Sequence, residues 1–306
     1  MRRLIITVLV ALVLPMVTAA TSAAADLSPV YPTPALLKSE AASAEDLKLP
    51  AKASSLGMSS SLYNGFFKPD GDGPFPALVL LHSCGGIRED MRTWAKAALK
   101  LGYVVVVPDS MRGAKMNCFP PLPVNNGRRV KDALDAAAHV GRQPFVDPAR
   151  IYALGFSQGT HVAELLAAPA LAAALSAPGA PRFAATAGLY GACGRDPVPP
   201  TLPAQVEYLQ PDIDRPLLLL LAEGDNETPA SFCLGRLPKL KESGRPVEWH
   251  VYPDNVTHCW DCSTLNGQVK TDWRGSRVVY HYNDQVTEDS RKRVFEFFSR
   301  HGGAKP

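Results

Sequence analysis

The stretch Arg150-Ile151-Tyr152-Ala153-Leu154-Gly155-Phe156-Ser157-Gln158-Gly159-Thr160 constrains the fold of this 306-residue chain more than any other. An apolar run from Ile151 to Phe156 ends in a G-x-S-x-G pattern and passes at once into an Ala- and Leu-rich helical pattern. That is strand, sharp turn and helix with a serine at the apex, the setting in which the pattern carries meaning. Glycines are needed at 155 and 159 because side chains there would collide with the neighbouring strand and helix. The serine backbone itself is forced into a strained conformation. Such a turn lifts the Ser157 hydroxyl out of the sheet and aims the Gln158 N–H at the same point. Ser157 is therefore the candidate nucleophile.

The rest of the chain reads as strands alternating with helices. Residues 59–68 carry a strand-like pattern before the turn Asp70-Gly71-Asp72-Gly73. The continuous apolar run at 77–82 predicts a strand buried on both faces, as in a parallel sheet; 103–108 is a second buried strand, and 184–190, 217–222 and 247–252 supply three more strands. Helical periodicity covers 88–101, 125–141, 161–175, 230–243 and 287–301, the last with Val294, Phe295, Phe297 and Phe298 as its apolar face. The expectation is an α/β fold: a mostly parallel, twisted sheet with helices on both sides. The Pro-rich piece 195–216 and the polar piece 259–286 read as rim insertions.

Residues 1–25 read as a secretory signal peptide. Arg2 and Arg3 precede an apolar run, Leu4 to Leu14, that is too short to span a bilayer, and Ala23-Ala24-Ala25 offers a cleavage site. Residues 26–58, rich in Ala, Ser and Pro, look like a loosely packed leader, and 59–306 form one catalytic domain. The formal charge of +3 points to neither nucleic acid nor a stable membrane association. All six cysteines, Cys84, Cys118, Cys193, Cys233, Cys259 and Cys262, lie in the mature chain, and an oxidising compartment favours disulfides among them. A zinc site at Cys259-x-x-Cys262 would need two further ligands, so no metal is expected.

A serine hydroxyl is a poor nucleophile at its own pKa and needs a base held by an acid. In open α/β sheets such groups sit on loops beyond the carboxyl ends of the strands. The run 217–222 leads into Glu223-Gly224-Asp225-Asn226-Glu227-Thr228-Pro229, and the run 247–252 into Pro253-Asp254-Asn255-Val256-Thr257-His258. Asp225 is the expected acid, with Glu223 and Glu227 as rivals and Asp254 a poorer one. His258 is the expected base, because it follows the last core strand. His161, one turn past Ser157, reads as structural, and His281 is the main competitor. The oxyanion needs fixed N–H donors. Gln158 supplies one. The loop His82-Ser83-Cys84-Gly85-Gly86 supplies the second, with Cys84 ahead of Ser83.

Taken together, these motifs resemble the dienelactone hydrolase family of the α/β-hydrolases, over roughly residues 77–301. The resemblance rests on His82-Ser83-Cys84-Gly85-Gly86, Gly155-Phe156-Ser157-Gln158-Gly159, Gly224-Asp225 with Pro229, and Thr257-His258. It implies hydrolysis of a carboxylic ester or lactone, in a small-molecule or polymeric substrate, with no metal or organic cofactor. Dienelactone hydrolases proper have a cysteine at the elbow where this chain has Ser157. They also have an acidic residue after the loop histidine where it has Ser83, so the dienelactone substrate does not carry over. Secreted serine members with an H-x-C-G-G loop are the nearer likeness, and they suggest disulfides around the site. With cysteines following adjacent strands, the pairing expected is Cys84–Cys118, Cys193–Cys233 and Cys259–Cys262.

The family also places a carboxylate-holding group where Arg112 stands, against the plainer reading of a surface arginine. Trp260, Trp273 and Tyr282 could wall an acyl pocket or form the insertion's own core. A peptidase or acyltransferase on the same fold, or a non-catalytic binding protein, are the alternative functions.

Overall fold

The computed structural model describes residues 30–42, 45–119, 122–195, 206–272 and 274–302. The signal-peptide reading of 1–25 and Trp273 lie outside the described residues. In chain order the elements are α1 (Pro34–Ala41), β1 (Gly65–Phe67), β2 (Phe75–Leu81), α2 (Asp90–Lys100), β3 (Val104–Val107), α3 (Asn126–Gly141), β4 (Val146–Phe156), α4 (Gln158–Leu166) and α5 (Pro169–Leu175). There follow β5 (Ala185–Leu189), β6 (Gly194–Arg195), β7 (Val206–Glu207), β8 (Leu217–Ala222), α6 (Ser231–Leu234), α7 (Leu237–Glu242), β9 (Val247–Tyr252), β10 (Val269–Thr271), β11 (Arg277–Val279) and α8 (Asp284–Arg300).

Seven strands form one sheet in the order β1-β3-β2-β4-β5-β8-β9, with β1 antiparallel to β3 and every other neighbour parallel. The apolar runs are continuous because both faces of the sheet are covered. In β2, Leu78 and Leu80 pack among Trp94 of α2 and Phe295 and Phe298 of α8. Their neighbours Ala77, Val79 and Leu81 point the other way, among Val130, Ala133 and Val140 of α3 and Val162 and Leu165 of α4. Residues 217–222 alternate in the same manner, Leu217, Leu219 and Leu221 packing around the Cys193–Cys233 disulfide.

Two helices expected to be continuous are broken, each near a proline. Pro169 opens α5, and Ala168 before it is extended (φ −91°, ψ 127°), as the residue before a proline must be if the ring is not to clash. The segment 230–243 divides at Gly235 into α6 and α7, with Pro238 in the first turn of α7. The leader is also more ordered than its composition suggests. Thr33 caps α1 through a 3.1 Å bond from the Leu36 N–H, Pro34 fills the first helical position, and Leu37 and Ala41 are buried. The Glu40 carboxylate accepts the Gly127 N–H at 2.7 Å, fastening α1 to the start of α3. That part of the leader is packed, not loose.

All six cysteines are paired, as Cys84–Cys118, Cys193–Cys233 and Cys259–Cys262, the expected connectivity. No helix among the described residues is long and apolar enough to cross a membrane.

One buried group is at odds with its surroundings. Glu164 of α4 is fully buried beside the Cys193–Cys233 disulfide, and among the described residues neither of its carboxylate oxygens has a hydrogen-bond partner. Burial, and next to it the charge of Glu207, push its pKa well above the usual carboxylate range, against Arg236. A carboxyl raised in the folded state leaves stability highest below its unfolded pKa and drains it as pH rises toward the folded one. Glu164→Leu should therefore raise unfolding stability by about 1–3 kcal/mol near pH 8. The gain should shrink on acidification. Urea titrations across pH test this, and a gain that does not change with pH would contradict it.

Candidate active site

Strand β4 ends at Phe156 and α4 begins at Gln158, so a single residue, Ser157, makes the turn. Its backbone sits at φ 52°, ψ −115°, a region that a non-glycine residue occupies only under constraint. The constraint is visible. The Ser157 N–H donates to Leu189 O of β5 at 3.0 Å, and the Thr160 hydroxyl donates to the same carbonyl at 3.0 Å. A Cβ at Gly159 would lie 2.1 Å from Leu81 O, and one at Gly155 would lie 2.1 Å from Gly159 O. The elbow thus presses on β2 and on itself closely enough to admit only hydrogen at both positions.

The three side chains expected to work together lie in one line. Ser157 Oγ is 3.1 Å from His258 Nε2, and His258 Nδ1 is 2.7 Å from Asp225 Oδ2. All three are at least 94% buried in the protein, with exposures of 6%, 4% and 2% respectively. Asp225 is firmly held: its Oδ1 accepts the Glu227 and Thr228 N–H groups, each at 2.9 Å. The Thr228 hydroxyl lies 2.7 Å from its Oδ2 and 2.8 Å from Tyr190 O. Burial disfavours a charged His258 ring, but Asp225 and Glu227 outweigh it, and the pKa stands above the ordinary imidazole value. A base of this kind is available to take a proton and to carry it as imidazolium.

Glu223, Asp254 and His281 are exposed. The His161 ring stacks on Tyr208 with centroids 4.1 Å apart, in the wall of the cavity that Ser157 opens onto. Glu227 is close to His258, but on its Nε2 side, 3.8 Å away, opposite to Asp225.

A cavity of about 290 Å³ lies over Ser157 and is bordered by Cys84, Gln158, Phe119, Phe232 and Lys270. The Cys84–Cys118 disulfide forms part of its rim. In the loop after β2, the Gly86 N–H donates to Ser83 O at 3.1 Å and the Gly85 N–H to Ser83 Oγ at 3.2 Å, closing a tight turn around Cys84. Gln158 opens α4, where the first N–H groups have no acceptor within the helix.

Two residues named as pocket candidates serve the framework. Arg112 grips Asp132 of α3 with both guanidinium nitrogens, at 2.8 and 2.9 Å, and also donates to Asp109 O and Glu45 O. It ties the leader and the loop after β3 to α3, and it is not among the cavity-lining residues. Trp260 is fully buried, donates through Nε1 to Ser290 Oγ at 2.9 Å, and packs edge-on against Tyr190 and Tyr252. It belongs to the core because the Cys259–Cys262 turn folds inward, where Asp261 accepts from Trp94 Nε1 at 2.7 Å and Tyr190 OH at 2.8 Å.

Sequence reasoning missed Arg129. This arginine of α3 is buried and donates to the Gln158 side-chain carbonyl and to His82 O, joining the two loops that flank Ser157. The signal was present: Arg129 shares an apolar face with Ala133, Ala136 and Val140, where a charge requires a partner. His82 beside it stays neutral. Burial, and then the Arg129 charge, hold its pKa down at about 3, while Nδ1 meets Ser83 O at 2.7 Å and Nε2 accepts the Ser110 N–H at 3.1 Å.

The sheet order, the elbow after the central strand and the order of Ser157, Asp225 and His258 in the chain define an α/β-hydrolase fold. The sequence profile of the dienelactone hydrolase family matches residues 64–302, and the chain belongs to that family. Among solved structures, the chain is similar to a protein of Klebsiella pneumoniae assigned to the dienelactone hydrolases (18% identity, 76% of this chain and 89% of that one, TM-score 0.56). It is also similar to an acetyl ester-xyloside bifunctional hydrolase of Caldicellulosiruptor lactoaceticus (15% identity, 79% and 88%, TM-score 0.54). A thermophilic esterase of Thermogutta terrifontis, solved with propionate bound, is similar at 16% identity, covering 79% and 90%, with a TM-score of 0.51. At these identities the likeness establishes the fold. No curated protein matches the sequence significantly.

Proposed function

We propose that this chain is an exported serine hydrolase that cleaves carboxylic esters through an acyl-enzyme. The observation that carries the reading is the hydrogen-bonded line from Ser157 through His258 to Asp225, ending in a cavity at the serine. In the proposed reaction His258 Nε2 takes the Ser157 proton as Oγ attacks the ester carbonyl. Asp225 holds the ring in the tautomer that leaves Nε2 free to accept. The N–H groups of Cys84 and Gln158 receive the oxyanion. The imidazolium then gives its proton to the departing alcohol. Water, deprotonated by the same nitrogen, attacks the acyl carbonyl and frees Ser157. Export is supported by the three disulfides, together with the basic and apolar start of the sequence.

A cavity of about 290 Å³ is at the small end of the range for ligand sites. On a p-nitrophenyl ester panel from acetate to laurate, the rate should be greatest for the short acyl groups and about tenfold or more lower for laurate. Activity on none of the esters, with cleavage of peptides instead, would redirect the same machinery to a peptidase. Ester consumption that needs an alcohol acceptor would make it an acyltransferase.

A further inference from the structure

We propose that Glu227 is a positioning residue for His258: a second carboxylate on the cavity side of the ring, which stabilises the imidazolium formed in both half-reactions. The proposal takes its catalytic meaning from the hydrolase reading above. Asp225 and Glu227 are two residues apart in the loop after β8, yet they address opposite edges of the imidazole. Asp225 meets Nδ1 at 2.7 Å, and Glu227 Oε2 stands 3.8 Å from Nε2, the nitrogen that also faces Ser157. Asp225 has no spare capacity, because both of its oxygens are taken up by His258, Thr228 and the Glu227 N–H.

Glu227 is held in place by groups that keep it charged. Lys270 of β10 donates to its Oε1 at 2.6 Å, the Tyr280 hydroxyl donates to its Oε2 at 2.8 Å, and Arg274 donates to its backbone carbonyl at 2.9 Å. Its side chain is only 13% exposed. Burial works against the carboxylate, but His258, Lys270 and Tyr280 together bring its pKa below the usual range. Both Glu227 and Lys270 border the cavity over Ser157. A charge at 3.8 Å from a buried ring is weakly screened and favours the protonated form. Among the described residues, the groups facing His258 are Asp225, Glu227 and the Thr228 hydroxyl from the loop after β8, Lys270 from β10, Ser157 from the elbow, and the rings of Tyr190 and Tyr280.

The plainer role for Glu227 is to pin the β10–β11 hairpin to the loop after β8. The two roles separate in the titration of His258. Its ring can be followed by NMR in the full chain, with His258→Asn assigning the resonance among the seven histidines. In Glu227→Gln the titration should move to lower pH, because an attractive charge is lost and Lys270 is left unbalanced. In Lys270→Met it should move to higher pH, because Glu227 acts unopposed. The acid limb of kcat/KM should follow both shifts, and Glu227→Gln should lose about tenfold in kcat/KM on the plateau. A purely structural tie predicts no movement, or movement in the same direction for both variants, and either result overturns the proposal. If Glu227→Gln fails to fold, the upward shift in Lys270→Met decides alone. Because the NMR titration needs no turnover, absence of esterase activity would sink the hydrolase reading and leave this measurement standing.

Discussion

Ser157→Ala should lose on the order of 10⁴-fold or more in kcat on any ester the native chain hydrolyses, with the fold intact. Little else depends on the hydroxyl. Among the described residues its side-chain partner is His258, and the turn is held by backbone bonds and by Thr160, all of which alanine keeps. Unfolding stability should change by less than about 1 kcal/mol. Whatever activity survives should reflect the oxyanion donors and binding alone, and it should not fall further when His258→Ala is added, since nucleophile and base act as one unit. A variant that keeps native rates would mean that another group attacks the ester and that the proposed mechanism is wrong.

Gly159→Ala should be one of the most damaging single-methyl changes at the described glycines. The added carbon would sit 2.1 Å from Leu81 O and 2.9 Å from His82 O, and both are backbone atoms that cannot swing aside. Relief requires α4 to move away from β2. That would separate Ser157 from His258 and disturb Arg129, which bridges the Gln158 side chain and His82 O. The expected result is a loss of about 3 kcal/mol or more of stability, from overpacking in a buried contact. Whatever folds should lack ester hydrolysis and reaction at Ser157. Denaturant titration and activity on the same preparation test both parts. A variant with native stability would mean that the elbow is not pressed against β2 as described.

Much of the architecture was legible because a parallel sheet covered on both faces leaves a plain trace. Runs such as Val104–Val107 and Leu217–Ala222 are apolar at every position. Ser157, Asp225 and His258 could be picked out because each follows the end of a core strand. Other features needed three-dimensional information. Lys270 and Glu227 are 43 residues apart and meet only because a hairpin in a polar insertion folds over the site. Trp260 could have lined a pocket or a core, and only the inward turn between Cys259 and Cys262 decides for the core. Some signals were present but outweighed. Thr33-Pro34 is a helix start, hidden in a segment whose Ala, Ser and Pro content suggested loose chain. Pro169 marks a break that the Ala- and Leu-rich periodicity around it obscured. Arg112 follows a strand, where a substrate-binding residue would stand, but the buried carboxylate of Asp132 on α3 claims it first.

The central claim is that Ser157 is an activated nucleophile, and reaction with a fluorophosphonate probe addresses it without any assumption about the substrate. Labelling is expected to be stoichiometric, one adduct per chain, mapped by mass spectrometry to the peptide containing Ser157. Labelling should be abolished by Ser157→Ala and strongly slowed by His258→Ala. A folded native chain that takes up no probe, or takes it up on a different residue, would contradict the account.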